Sequence, residues 1–175
     1  MHRKIALLAL LCALLLPAAP VRAQSAPEVL LPAGGGYAAI FDGILAAILQ
    51  RETGDTVNIS VLPATYATNA FEITEEERAQ NIEDADVRRS QIEEACLALA
   101  PEGVTCVATT APIFVRADAE DPANLALFGA DVDGVFILGG DQAIAMQVLA
   151  GTPVESALAD LYAAGIPIAG TSAGA

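Results

Sequence analysis

Gly134-Val135-Phe136-Ile137-Leu138-Gly139-Gly140-Asp141-Gln142 is the stretch that decides the fold. Its first five residues carry no polar side chain. A strand that is apolar on both faces belongs inside a parallel sheet covered by helices, not at a solvated edge. Gly139-Gly140 then reads as a tight turn, and Asp141 as the N-cap of a helix predicted over Gln142 to Leu149. Further along, Ile166-Pro167-Ile168-Ala169 predicts another strand. It leads into Gly170-Thr171-Ser172-Ala173-Gly174, a G-x-S-x-G pattern. That pattern describes a sharp strand-to-helix turn that lifts a serine hydroxyl to the top of a sheet. The small neighbours of Ser172 let the backbone make such a turn.

Between these two strands lies the clearest helix. Thr152 is its expected N-cap, Pro153 its first residue, and Glu155 its reciprocal capping partner. Val154, Leu158 and Leu161 share one face, Gly165 caps the end and Pro167 stops it. Upstream, Val29-Leu30-Leu31 predicts a strand ending at Pro32 and the Gly34-Gly35-Gly36 cluster. Tyr37 to Gln50 has apolar residues at helical spacing, closed by Gly54-Asp55. Val57, Ile59 and Val61 alternate with Asn58 and Ser60, so the next strand ends at Pro63. Thr74 and Glu77 form a second predicted capping box. It opens a helix whose apolar stripe reads Ile82, Ile92, Ala95, Cys96 and Leu99, interrupted by Arg89. Val104 to Ala108 is a fifth strand pattern, and Asn124 to Phe128 a short helix.

Five strands, each separated by helical pattern, predict a three-layer α/β/α domain with a mainly parallel sheet. Right-handed crossovers put every strand's C-terminal end on one edge, where such sheets bind ligands. Gly34 to Gly36, Gly139-Gly140 and Gly170 to Gly174 all fall on that edge. The first cluster lacks both the G-x-G-x-x-G spacing and a P-loop lysine, so it reads as a glycine-rich turn and not a nucleotide cradle. Backbone N–H groups of the second can face a developing oxyanion beside the serine of the third.

Residues 1–23 read as a secretory signal. His2, Arg3 and Lys4 are its basic region and Ile5 to Leu16 its apolar core. Val21-Arg22-Ala23 offers small residues for cleavage. The apolar run is shorter than the roughly 20 residues a spanning helix needs. Residues 24–175 then form one partial domain. The chain carries a net charge of −14. Arg3, Lys4 and Arg22 all lie in the leader, so the remainder is more acidic still. Such a field repels nucleic acid and anionic membranes. It suits a cationic substrate, and serves plain solubility equally well. Cys96 and Cys106 remain after the leader. They read either as a disulfide of an exported protein or as two buried thiols.

The residues from Asp133 to Gln142, then Gly151-Thr152-Pro153, then Gly165 to Ala175 resemble the cyanophycinase group of serine peptidases. These are relatives of dipeptidase E, with a fold like the class I glutamine amidotransferases. The resemblance is strongest over residues 131–175. It implies that Ser172 is the nucleophile and that the N–H groups of Gly140 and Ala173 form the oxyanion hole. It implies that Asp141 and Gln142 border the substrate pocket, and that no metal or organic cofactor takes part. It implies cleavage of peptide bonds near aspartate, either in the arginine-bearing polymer cyanophycin or in short Asp-containing peptides. The family's histidine and acidic partner follow the elbow in sequence, and the one histidine here is His2. The chain therefore reads as an inactive N-terminal piece of an exported serine-type peptidase. Two other readings remain: an ester-cleaving α/β-hydrolase, and an exported binding homologue without a triad. The first usually carries an H-G-G-G-type motif upstream, and Gly34 to Gly36 lacks that histidine.

Overall fold

The computed structural model describes residues 30–33, 37–51 and 54–174. The predicted leader (1–23) and the Gly34 to Gly36 turn lie outside the described residues. Five strands form one all-parallel sheet: β1 (Leu30–Ala33), β2 (Thr56–Leu62), β3 (Thr105–Thr110), β4 (Gly134–Ile137) and β5 (Ile168–Thr171). Their order is β1-β5-β4-β2-β3. The helices are α1 (Tyr37–Arg51), α2 (Glu75–Leu99), α3 (Arg116–Glu120), α4 (Pro122–Leu125), α5 (Gln142–Leu149) and α6 (Pro153–Ala163). The expected α/β architecture holds.

The alternation of side chains along the central strands builds two cores. Phe136, Leu138 and Ala169 join Val57, Ile59 and Val61 beneath α1 and α2. Val135, Ile168 and Leu62 face the opposite way, against Ala119, Val148, Val154 and Leu161 of α3, α5 and α6. Each sheet face is thus covered by helices, which is why β4 carries no polar residue. Phe41 of α1 meets Phe136 edge-on at 5.2 Å between ring centroids. Gly134 fits closely into this packing: a Cβ there would meet the Ile48 side chain, which would have to shift. Gly43 is different. It lies exposed in the middle of α1, with nothing within 4 Å of where its Cβ would stand. Gly43→Ala is therefore expected to stabilise the protein, by roughly 0.5–1 kcal/mol through lost chain entropy and better helix propensity. An unchanged or lowered urea midpoint would contradict this.

Two helix entries depart from the sequence expectation. Thr74 accepts from Glu77 N at 3.1 Å, as a capping box requires, but Glu77 does not reach back to Thr74. Its carboxylate instead takes Thr68 N at 2.7 Å and Thr68 Oγ1 at 2.8 Å, pinning the loop after β2. Likewise Thr152 accepts from Glu155 N, while the Glu155 carboxylate accepts from Gly151 N at 2.7 Å. In both cases the glutamate holds the approaching chain and not the cap residue itself. The α2 stripe also shifts. Asn81, Ala85, Ile92 and Cys96 are its buried residues, whereas Ile82 and Leu99 are exposed. Arg89 does fall on the inward half of α2. Ion pairs with Asp86 and Glu93 satisfy its charge there.

Cys96 at the end of α2 and Cys106 on edge strand β3 form a disulfide, with Cα atoms 6.0 Å apart. The helix runs back against the strand it precedes, so a separation of ten residues closes easily. A loop of that size constrains the unfolded chain by about 2–3 kcal/mol. Reduction is expected to lower the unfolding midpoint accordingly. Thiol titration of the unreduced, unfolded protein should find neither cysteine free; two free thiols would overturn the bond.

A second tie fixes the chain between β3 and α3. Asp118 accepts from Phe114 N, Val115 N and Arg78 Nη1 at 2.9–3.0 Å. The Arg78 guanidinium also lies over the Phe114 ring, 5.7 Å from its centroid. This part of the chain has no clear period in the sequence, because one carboxylate organises it through backbone N–H groups. Among the described residues, no helix is long and apolar enough to cross a membrane.

Candidate active site

The site follows from the strand order. From β2 the chain leaves through α2 towards β3, on one side of the sheet. From β4 it leaves through α5 and α6 towards β5, in the other direction and over the other face. The loops after β2 and β4 therefore diverge. An open α/β sheet has its ligand crevice at such a switch point, outside the carboxyl ends of the strands. Here a crevice of about 640 Å³ opens at that place. Thr65 and Tyr66, after β2, form one wall with Gly140, after β4. Asn81, Asp84, Arg88 and Gln91 of α2 form the other.

β4 and β5 are direct neighbours, with Ile137 opposite Gly170. Their next residues, Leu138-Gly139-Gly140 and Thr171-Ser172, must then lie side by side. The glycines measure how closely. A Cβ on Gly139 would stand 2.6 Å from the Thr171 carbonyl oxygen and 3.0 Å from Ser172 Cβ. On Gly174 it would stand 2.5 Å from Leu138 O and 2.6 Å from Ile137 O. Both turns have glycine because the backbone of one fills the space of the other's side chain.

Ser172 is exposed and has φ 51°, the only positive φ at a non-glycine among the described residues. It begins the 3-10 turn Ser172–Gly174 directly after β5. A left-handed serine costs of the order of 1–3 kcal/mol and persists only where surrounding packing imposes it. Here the imposing contacts are those of Gly139 and Gly174. The sharp turn was expected from G-x-S-x-G; the left-handed serine and its interlock with Gly139 were not.

The other expected site residues lie on the same edge. Gly140 is exposed, and its Cα is pressed against Thr65, so that a Cβ would collide with the Thr65 carbonyl oxygen. Thr65 clamps the turn twice more. Its hydroxyl donates to Leu138 O at 2.9 Å, and its carbonyl accepts from Asp141 N at 2.9 Å. Asp141 caps α5 through Ala143 N at 2.8 Å and Ile144 N at 3.3 Å. Gln142 is the exposed first residue of α5. Ala173 belongs to the 3-10 turn after Ser172, so its backbone stands one residue from the serine. Residues that sequence reasoning missed are Thr65, Tyr66, Asn81 and Arg88. No motif marks them. They meet the site only because the β2 loop and α2 fold over the switch point.

A smaller cavity of about 200 Å³ lies between Phe41, Tyr66, Arg88, Phe136, Gly139 and Thr171. It connects the inner face of the serine turn to the crevice wall, since Tyr66 and Arg88 line both spaces. Among the described residues, no three His, Cys, Asp or Glu side chains converge as a metal site.

Residues 116–175 match the model of Peptidase family S51, which upholds the resemblance read from the sequence over that span. The matched span runs from α3 through the serine turn. Among solved structures, the chain is similar to a peptidase from an acI-B1 Actinobacterium, at 18% identity with a TM-score of 0.57. That likeness covers 83% of this chain and 54% of the solved one, so the chain spans about half of its length. At this identity the likeness speaks for the fold. No curated protein matches the chain.

Proposed function

We propose that the protein is a serine-type peptidase in which Ser172 is the nucleophile. The observation that carries the reading is the conformation of Ser172: left-handed, exposed, and locked against the Gly139-Gly140 turn at the C-terminal edge of the sheet. The match of residues 116–175 to a peptidase family supports the same class. In the proposed reaction Ser172 Oγ attacks the peptide carbonyl carbon. The C–N bond then breaks, the amine departs with a proton, and water hydrolyses the resulting ester. The Gly140 and Ala173 N–H groups receive the oxyanion, each donor worth about 2.7–4 kcal/mol in comparable enzymes. Asp141 and Gln142 border the bound chain at the start of α5. No metal or organic cofactor enters these steps.

The serine requires a base, and the only histidine of the 175 residues is His2, in the leader-like segment. In the family that residues 131–175 resemble, the base and its acidic partner follow the serine turn in sequence, and both are proposed to come from there. The proposed substrates are Asp-containing peptides, either the arginine-bearing polymer cyanophycin or short Asp peptides; the acidity of the chain suits a cationic substrate, as it suits plain solubility. Export is supported by the character of residues 1–23 and by the Cys96–Cys106 bond, which persists in oxidising compartments.

The test is an assay of the full-length protein on cyanophycin, β-aspartyl-arginine, short α-Asp peptides and a p-nitrophenyl ester. Peptide cleavage that labels Ser172 supports the proposal. Ester cleavage without peptide cleavage points to an α/β-hydrolase esterase, and binding without turnover points to a non-catalytic homologue. N-terminal sequencing of the mature protein should begin after Ala23 if export is right.

A further inference from the structure

We infer that Asn81 binds the main chain of the substrate, its side-chain amide pairing with the N–H and C=O of one extended residue that lies in the crevice. The inference rests on the peptidase reading for its substrate class, but its test does not require turnover.

Asn81 is the exception among the buried and partly buried polar residues of α2. It is only 8% exposed, and its Nδ2 is buried without a hydrogen-bond partner. The others are all engaged. Glu77 accepts from Thr68, Arg78 pairs with Asp118, and Arg88 donates to Gln91. Arg89 donates to Ser90, and Glu93 accepts from Ala108 N. The remaining inward residues of the helix, Ala85, Ile92 and Cys96, pack in the core. An apolar side chain at position 81 would continue that face and leave nothing unpaired. A buried amide donor without a partner costs stability, so one retained in a native structure calls for an explanation.

The crevice supplies the explanation. Asn81 lines it together with Thr65, Tyr66 and Gly140. Gly140 is the residue whose N–H receives the oxyanion in the proposed reaction. A peptide held there by its scissile carbonyl therefore enters the space that Asn81 borders. The volume of about 640 Å³ lies in the range of ligand sites and takes more than one residue. Thr65 is already committed to the Gly139-Gly140 turn. Its hydroxyl donates to Leu138 O, and its carbonyl accepts from Asp141 N.

The chemistry of the amide identifies its partner. An asparagine side chain carries an NH₂ donor and a carbonyl acceptor side by side, and neither is charged. An ionic ligand group in the same place would lose its hydration against a neutral partner, at a cost. One residue of an extended chain offers the complementary pair. Its N–H and C=O point to the same side, as they do where two antiparallel strands exchange both bonds. Every peptide has such a residue whatever its side chains. Asn81 is thus a positioning residue for the backbone and not a reader of sequence.

Binding is to be measured by calorimetry with the full-length protein carrying Ser172→Ala, which cannot turn substrate over. The probes are an Asp-containing tetrapeptide and three analogues, each with one backbone amide replaced by an ester. One analogue is expected to bind about three- to tenfold more weakly than the peptide, because an ester has no N–H to donate to the Asn81 oxygen. Adding Asn81→Ala should weaken the peptide by a similar factor and bring that analogue level with it. Asn81→Leu should also weaken the peptide, yet raise the urea unfolding midpoint, since it replaces an unpaired amide by an apolar group of similar size. A lowered midpoint with peptide binding intact would give Asn81 a role in the fold alone and overturn the inference. So would an unchanged ranking of the four probes in the Asn81→Ala protein, or binding of none of them. Failure of the wild-type protein to hydrolyse any peptide, with the Asn81-dependent binding intact, would sink the peptidase reading and leave this one standing.

Discussion

Ser172→Ala in the full-length protein is expected to reduce peptide hydrolysis by about 10⁶-fold while leaving the unfolding midpoint unchanged or slightly raised. Removing the nucleophile of a serine peptidase costs on that order, because the remaining groups act only through it. What distinguishes this prediction is the second half. Ser172 sits at φ 51° and its side chain is exposed, so truncation to alanine removes no buried contact. Ser172→Gly should go further in the same direction. It relieves the left-handed strain and raises stability, with activity equally absent. A residual rate within tenfold of wild type would exclude Ser172 as nucleophile. The polypeptide of residues 1–175 alone should likewise show no serine-dependent hydrolysis. Turnover by that piece, abolished by Ser172→Ala, would mean that a base other than histidine serves Ser172.

The sequence carried most of this reading where local chemistry is self-sufficient. β4 could be read because an all-apolar run has one comfortable place in an α/β domain. α5 and α6 could be read because Asp141, Thr152, Pro153 and Gly165 each have a specific task at a helix end. Gly165, at φ 80°, accordingly carries the left-handed cap predicted for it. What could not be read depends on partners distant in sequence. Glu77 binds Thr68, not its own cap, because the loop after β2 passes close to the start of α2. The buried face of α2 follows the expected stripe at Ile92 and Cys96 and departs from it at the two ends, where Asn81 lies inward and Ile82 and Leu99 outward. An inward amide facing a ligand crevice violates the hydrophobic pattern that the eye follows. The same holds of the site. Its nucleophile and its glycines are written as motifs, but Thr65, Tyr66, Asn81 and Arg88 are brought there by topology alone.

Gly139→Ala should separate the two things that glycine does, and the expected loss is the largest of any substitution outside Ser172. The added methyl would meet the Thr171 carbonyl oxygen at 2.6 Å and Ser172 Cβ at 3.0 Å, and neither is the flexible tip of a side chain. One of the two turns has to move. Overpacking of this kind costs about 1–3 kcal/mol in stability. Displacement of a nucleophile by about an ångström costs on the order of 10²-fold in rate. The variant should therefore lose both, with kcat falling further than binding of the Asp peptide. Gly134→Ala is the appropriate comparison. Its methyl would meet the end of the Ile48 side chain, in the core beneath α1 and well below the serine turn. It should lower stability by a similar amount while kcat at low temperature stays near wild type. If the two variants lose activity in equal proportion, the loss tracks stability alone. In that case the contact between Gly139 and Ser172 has no part in positioning the nucleophile. If Gly139→Ala alone loses kcat, the interlocked turns are what hold the serine for attack.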